Sequence, residues 1–208
     1  MAPRKADLSQ WLFTAGRLSL DFVGTVGYRP AQHVERLTDR EALRRWLLEA
    51  GLPSEGSAPT DDDLAEARAV REALYHLIDS RVGDEPTRAL RAAAPPGPEE
   101  VALLNRVAAT PTPARRVSLE PTGAVTLGWG RPDGVRPLLS LIVRDAMDLL
   151  GGDQLERVRR CAAEDCRKLF LDSAPRPRRW CSARACGTRQ RVAAHRARRA
   201  GGTASAFS

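Results

Sequence analysis

The chain has 208 residues, of which 42% are hydrophobic and 28% are charged, and its formal net charge is +7. This length suits one medium domain with a small additional module. No apolar run reaches the roughly 18 residues that a membrane-spanning helix requires, which excludes that class of protein. We identify no signal peptide, so we expect a cytoplasmic protein in a reducing compartment.

The first predicted element is a short strand near the N-terminus. Leu18, Leu20 and Phe22 alternate with polar residues, and a period of two is typical of a half-buried strand. Gly24 then favours a turn, because glycine adopts backbone conformations that other residues avoid. We therefore expect residues 18–23 to form a strand that ends at this glycine.

Two helices with clear N-terminal signals follow. Thr38 and Glu41 have the capping-box spacing, in which the threonine oxygen accepts a hydrogen bond from the glutamate amide. Gly51 favours the end of this first helix. Thr60 precedes three aspartates, which suit the positive end of the second helix dipole. The apolar positions predicted to face the core are Leu43, Trp46, Leu47, Leu64, Ala67, Val70, Leu74, Leu77 and Ile78.

Four further elements are predicted before residue 152. A short helix is expected around residues 87–93, between prolines, and a second helix over residues 99–109. Residues 115–119 and 124–129 alternate on either side of a turn, which predicts a hairpin. Residues 135–150 are apolar on more than one face, so this helix should lie at the centre of the core.

The only four cysteines of the chain form two pairs with the same spacing. Cys161 and Cys166 are separated by four residues, as are Cys181 and Cys186, and fourteen residues lie between the pairs. Zinc favours four such ligands in a tetrahedron. The alternatives are two disulfides or four free thiols, and a reducing compartment disfavours the disulfides. Four thiolates leave no position for a catalytic water, so we expect a structural zinc ion.

Basic residues concentrate around these cysteines. Residues 157–199 contain 14 Lys and Arg against three acidic residues, for a net charge of +11, which leaves −4 for the rest of the chain. A basic patch on a metal-fixed scaffold is typical of a nucleic-acid-binding protein. The alternative is a solvated tail, but the arginines surround Trp180 and the metal would fix their centre.

The segment between the cysteine pairs is long enough for a hairpin. Residues 169–171 and 178–180 are predicted to pair, with two prolines in the connecting loop. Cys186 is expected at the start of a helix that ends near Arg199. This order of elements indicates a treble-clef-like finger. The residues expected to pack over the metal or beneath the last helix are Phe170, Trp180, Val192 and Ala193.

The motif around the second cysteine pair resembles that of the CGNR zinc-finger family. The chain reads Cys186-Gly187-Thr188-Arg189, so Thr188 stands where the family has asparagine. The N-terminal region is similar to the ABATE domain that accompanies this finger. The resemblance implies a bacterial, stress-related transcription regulator that binds zinc and DNA.

These observations predict an α+β fold, with a mainly helical N-terminal domain and a small antiparallel sheet, followed by a treble-clef-like zinc finger. The expected boundaries are 1–152 for the N-terminal domain, 153–200 for the finger and basic helix, and 201–208 for a disordered tail. We expect the N-terminal domain to sense a small ligand or to mediate oligomerisation, for example as a homodimer on two half-sites.

The leading hypothesis is therefore a regulator that binds duplex DNA through its finger. Three alternatives stay open: RNA binding, a thiol redox sensor that releases zinc on oxidation, and a protein-interaction module. We expect no enzyme, because the cysteines are used by the metal and the three histidines lie on separate elements. The candidate contacts to nucleic acid are Lys168, Arg176, Arg178, Arg179, Arg184, Arg189, Arg191, Arg196, Arg198 and Arg199.

Overall fold

A computed structural model of the chain describes residues 11–82 and 95–202, with the backbone alone for residue 197 and residues 199–202. The described helices are α1 Leu18–Val23, α2 Arg40–Glu49, α3 Asp61–Arg81, α4 Pro98–Ala108, α5 Arg136–Gly151 and α6 Thr188–Gly202. The described strands form antiparallel pairs, which are β1 Val26–Gly27 with β2 Val34–Glu35, β3 Arg115–Leu119 with β4 Val125–Trp129, and β5 Val158–Arg160 with β6 Leu169–Leu171. The fold is α+β, as the sequence predicts. The predictions for residues 1–10 and 87–93 lie outside the described residues. The predicted disordered tail, 201–208, is wrong for residues 201 and 202, which belong to α6, and its residues 203–208 lie outside the described residues.

Helix α5 lies at the centre of the core, as its apolar sequence predicts. It packs against α1, α3 and α4. Leu138, Leu139 and Ile142 on α5 are completely buried. Trp46 of α2 is also fully buried, and its ring centroid lies 5.0 Å from that of Phe22. The helices therefore enclose one hydrophobic core, and Trp46 belongs to it.

The predicted strand at residues 18–23 is wrong, because these residues form α1. Asp145 on α5 accepts hydrogen bonds from the Ser19 amide at 2.8 Å and from the Ser19 hydroxyl at 2.6 Å. An acceptor at a helix N-terminus satisfies amides that have no partner within the helix. Leu20 and Phe22 are both buried in this helix. Alternation of apolar and polar residues over only six positions is therefore not sufficient to distinguish a strand from a helix.

Side-chain caps start both α2 and α3. The prediction that Thr38 caps α2 is wrong, because the helix starts one residue later and Asp39 accepts from the Ala42 amide at 2.7 Å. Helix α3 starts after Thr60 with three aspartates in its first turn, as predicted, and Thr60 is its cap. Its hydroxyl oxygen accepts from the Asp63 amide at 3.1 Å, and the Asp63 carboxylate accepts from the Thr60 amide at 2.8 Å.

Replacing Thr60 with alanine is expected to lower the free energy of unfolding by about 1 kcal/mol, because the Asp63 amide loses its acceptor. Thr38→Ala is a matched control, since Asp39 caps α2 and the Thr38 hydroxyl only donates to that carboxylate. Urea unfolding of both variants measures the difference. Equal losses in the two variants would contradict the assignment of the caps.

The C-terminal strands share the core of the N-terminal helices. Val158 and Phe170 are buried in the same hydrophobic cluster as Leu149 of α5. Arg160 on β5 is buried against Asp79 of α3, with a distance of 2.5 Å between Nε and Oδ1. Helix α1 also contacts β6. The helices of the N-terminal region and the strands β5 and β6, which follow α5, therefore pack directly on each other.

The predicted hairpin of residues 169–171 with residues 178–180 is wrong. β6 pairs with β5 instead, and residues 178–180 form no strand. The Asp172 carboxylate accepts from the Arg178 amide at 2.8 Å, which turns the chain away from β6. The two prolines of this loop also lack the amide hydrogen that a strand ladder requires.

The hairpin of β3 and β4 is confirmed, with Val117 opposite Leu127 and Leu119 opposite Val125. All residues of β3 are exposed. In β4 the first four residues are exposed and the last, Trp129, is half-buried. The hairpin therefore lies on the outside of the core.

Helix α6 extends into solvent beyond its first turn. Each side chain from Arg191 to Arg196 is exposed. The prediction that Val192 and Ala193 face inward is wrong, since Val192 is 44% exposed. The main contacts of α6 are with the turn that precedes it, so its small apolar residues meet no facing element within the described chain. None of the helices in residues 11–82 and 95–202 is long and apolar enough to cross a membrane.

Candidate metal centre and basic surface

The four cysteines converge beside β5 and the start of α6. Cys161 follows β5 directly, and its amide donates to the Lys168 carbonyl at 2.9 Å, which closes the first cysteine loop. Cys166 lies in the turn of this loop. Cys186 lies in a π-helical turn, Ala183–Gly187, that leads directly into α6. Local hydrogen bonds therefore fix the segments that carry the sulfur atoms.

The four Sγ atoms all lie within 4.8 Å of one another. Sγ of Cys181 is 3.8 Å from Sγ of Cys166 and 3.6 Å from Sγ of Cys186. Four sulfurs placed tetrahedrally at about 2.3 Å from a zinc ion would be about 3.8 Å apart. An S–S bond would be only about 2.05 Å long. The donor set and its spacing therefore fit a closed, structural metal site rather than disulfides.

Hydrogen bonds among the cysteines act differently on the individual thiols. They hold the pKa of the Cys161 thiol well below its usual range and raise the pKa of the Cys166 and Cys181 thiols. Burial acts to lower the pKa of Arg189, but the charges of Cys186 and Asp165 outweigh it and raise this pKa above its ordinary value. Arg189 is therefore a fixed positive charge, with Nη2 at 3.6 Å from Sγ of Cys186.

Three of the predicted nucleic-acid contacts bind other groups of the protein. Nζ of Lys168 donates to the Leu12 carbonyl at 2.9 Å, and this side chain is only 15% exposed. Arg178 pairs with Asp172 at 3.0 Å. Arg189 pairs with Asp165 at 2.8 Å. These side chains join parts of the protein to one another.

The other predicted contacts form an outward surface along α6 and the segments before it. No acidic side chain in the described part of the chain forms an ion pair with these arginines. The side chain of Arg199 lies outside the described residues. We call the exposed set the outer arginine surface, and its members are Arg176, Arg179, Arg184, Arg191, Arg196 and Arg198.

Two family models match the chain. The model for ABATE, described as "Putative stress-induced transcription regulator", matches residues 16–153, which is about two thirds of the chain. The chain belongs to the ABATE family. The model for the CGNR zinc finger matches residues 157–199, which contain all four cysteines. A comparison with curated proteins gave no match.

The ABATE region, residues 16–153, contacts the start of α6 through Tyr28. The Tyr28 hydroxyl accepts from Nη1 of Arg189 at 3.1 Å, and the Arg189 guanidinium lies 5.3 Å from the Tyr28 ring centroid. Tyr28 has a φ of 52°, which is uncommon for a tyrosine. Sequence reasoning missed Tyr28, because 161 residues separate it from Arg189 and no local pattern marks it.

Two aromatic residues of the finger belong to the same hydrophobic cluster as the cysteines, as predicted. Phe170 is completely buried, and Trp180 is partly buried and packs against this cluster. A Cβ atom on Gly187 would lie 3.2 Å from the Trp180 ring, so glycine allows the indole to approach the π-helical turn closely.

A small cavity of about 70 Å³ lies between the ABATE region and the metal cluster. Its lining includes Tyr28, Lys168 and Cys166. A volume of this size holds about two water molecules, whereas pockets for drug-sized ligands measure about 300–1,000 Å³. This cavity therefore suits water or a small ion rather than an organic ligand.

Proposed function

We propose that this chain is a zinc-containing, DNA-binding transcription regulator whose finger contacts duplex DNA. The observation that carries the proposal is the outer arginine surface, which lies next to a cluster of four cysteines. The description of the ABATE family as stress-induced transcription regulators supports this function. We propose no catalytic role, and the two matching families are of the regulator and zinc-finger types.

We assign a Zn²⁺ ion to Cys161, Cys166, Cys181 and Cys186. The sulfur separations of 3.6 and 3.8 Å support this assignment, since zinc favours a tetrahedron of thiolates. With four protein ligands the ion would have a structural role, which is to fix the turn where α6 begins. A site of four reduced thiols also supports a cytoplasmic location.

The outer arginine surface would neutralise phosphates and release their counterions. Arginine also binds guanine edges in the major groove, so one or two of these residues could provide sequence specificity. Arg199 is added to this surface on sequence grounds. Lys168, Arg178 and Arg189 would instead position the finger, because aspartates already pair with all three.

The ABATE region would mediate self-association. A single small finger buries about 600–1,000 Å² on DNA, which gives modest affinity. A homodimer would place two fingers on two half-sites and raise the affinity of the whole assembly. The small cavity beside Tyr28 is too small for an organic ligand, so this part of the ABATE region gives no support to ligand sensing.

Selection of duplexes from a random DNA pool by the zinc-loaded protein tests the proposal, with affinities measured at about 50 and about 200 mM salt. Enrichment of one motif, bound with only partial salt dependence, is the expected result. Equal competition by structured RNA without a DNA motif would favour an RNA-binding protein. Zinc release by low doses of peroxide, without DNA binding, would favour a redox sensor.

Replacing Arg196 and Arg198 together with alanine is expected to weaken DNA binding. Each lost phosphate contact should reduce the magnitude of the log–log salt slope by about 0.9. Arg106→Ala is the matched control, because Arg106 is an exposed arginine on α4 in the ABATE region. Fluorescence anisotropy titrations at several salt concentrations measure both quantities. Unchanged affinity and slope in the double variant would exclude this part of α6 from the interface.

A further inference from the structure

One face of the β3–β4 hairpin is an exposed apolar surface, which we call the hairpin face. It consists of Val117, Leu119, Val125 and Leu127, which are paired across the strands. Their exposed fractions are 71%, 74%, 66% and 78%. The opposite face is polar and includes Ser118. The alternation along both strands therefore concentrates all four apolar side chains on one side.

The size and position of this surface suit a functional contact. A two-stranded hairpin is at best marginally stable in water and normally needs packing on one face. The hairpin face presents roughly 450 Å² of apolar surface, which is as large as the largest patch on a typical monomer and is commonly functional. The fold therefore leaves the hairpin face exposed to solvent, and a binding partner would bury it.

The composition of the chain argues against one of its own segments as that partner. Residues 1–10, 83–94 and 203–208 together contain few large apolar residues, namely Leu8, Leu90, Phe207 and the initial methionine. Such sparse side chains do not match four adjacent apolar positions. Nucleic acid is equally unsuited, because phosphates would meet valine and leucine there.

A second copy of the chain matches the hairpin face best. Two hairpin faces packed together would bury roughly 900 Å² of surface, counted over both chains. A specific interface needs roughly 1,000 Å², and residues that flank the hairpin face would add to the buried area. Val117, Leu119, Val125 and Leu127 share one face of the hairpin, so a two-fold axis would pack apolar side chains of one copy on the same apolar side chains of the other.

We propose that two copies of this chain form a dimer by packing their hairpin faces against each other about a two-fold axis. The proposal deepens the function above and rests on it for the role of the dimer, which is to present two fingers to one DNA. Its test uses no DNA, so failure of dimerisation and failure of DNA binding are distinguishable.

Sedimentation equilibrium of the zinc-loaded, full-length chain measures the mass in solution. We expect a species of twice the 22.7 kDa chain mass. Leu127→Asp introduces a carboxylate into each half of the interface and should raise the dimer dissociation constant by about 100-fold or more. Leu119→Asp should have a similar effect. Ser118→Asp, on the polar face of the same hairpin, is the matched control and should leave the dissociation constant unchanged.

Circular dichroism and thermal unfolding test whether the variants keep the fold. We expect them to keep it, because Leu119 and Leu127 are exposed. A wild-type chain that stays monomeric up to about 100 µM would overturn the proposal. Dimerisation of Leu127→Asp at wild-type affinity would also overturn it. Binding of the monomer to anionic phospholipid vesicles, lost in Leu127→Asp, would reassign the hairpin face to a membrane surface.

Discussion

Replacing Cys166 with alanine is expected to abolish zinc binding and to unfold much of the chain. Structural zinc contributes about 10 kcal/mol or more in zinc-finger peptides, whereas a whole domain is typically stable by about 5–15 kcal/mol. The remaining cysteines, Cys161, Cys181 and Cys186, are buried in the cluster that also contains Leu149 of α5. Loss of the ion should therefore destabilise the helical core as well as the finger.

Zinc content after dialysis and denaturant unfolding followed by tryptophan fluorescence measure the two effects. The fluorescence is the sum over four tryptophans, of which Trp46 is completely buried in the helical core and Trp180 lies in the finger. Ala183→Ser is the matched control, an exposed change in the turn that carries Cys186. A Cys166→Ala variant that retains stoichiometric zinc and wild-type stability would contradict the assigned ligand set.

Replacing Asp79 with alanine is expected to lower the free energy of unfolding by about 3–5 kcal/mol. Asp79 and Arg160 are each only 1% exposed, and Arg160 also donates to the backbone carbonyls of Asp79 and Val82. Removing the carboxylate leaves a buried guanidinium without its counter-charge. Because Cys161 follows Arg160 directly, the variant should also lose zinc to a chelator faster than the wild type.

A surface ion pair provides the comparison for this variant. Arg44 and Glu41 lie 2.7 Å apart on α2, with exposed fractions of 40% and 61%. Solvent screens such pairs, so Glu41→Ala should leave stability nearly unchanged. Guanidinium unfolding of the two variants separates the effects. An Asp79→Ala chain as stable as Glu41→Ala would mean that Arg160 reaches water or another acceptor.

Local signals in the sequence were sufficient for much of the fold. Thr60 and its three following aspartates start α3, and Gly51, with a φ of 73°, follows the end of α2 as expected. Alternation on both sides of a turn predicted the β3–β4 hairpin. The cysteine spacing predicted the cluster, because each pair forms its own short loop. Each of these features depends on signals within one short, continuous segment of the chain.

Features that depend on distant residues were missed. Helix α1 is stabilised by Asp145, which lies 126 residues from Ser19. The inward orientation of Lys168 depends on the Leu12 carbonyl, 156 residues away. β5 was not expected at all, since a three-residue strand carries almost no pattern. Charge alone also could not separate the outer arginines from those held by aspartates, because both kinds occur in one basic segment.

The contact between Tyr28 and Arg189 gives α6 the geometry of a lever. Arg189 lies in the first turn of a 15-residue helix, and Tyr28 and Asp165 hold it there. At a rise of about 1.5 Å per residue the far end lies roughly 20 Å from this pivot. A tilt of about 10° would move that end by roughly 3–4 Å, comparable to the rise of about 3.4 Å between neighbouring base pairs. In the proposed complex with DNA, small displacements of the loop around Tyr28 would therefore shift the distal arginines by about one base pair.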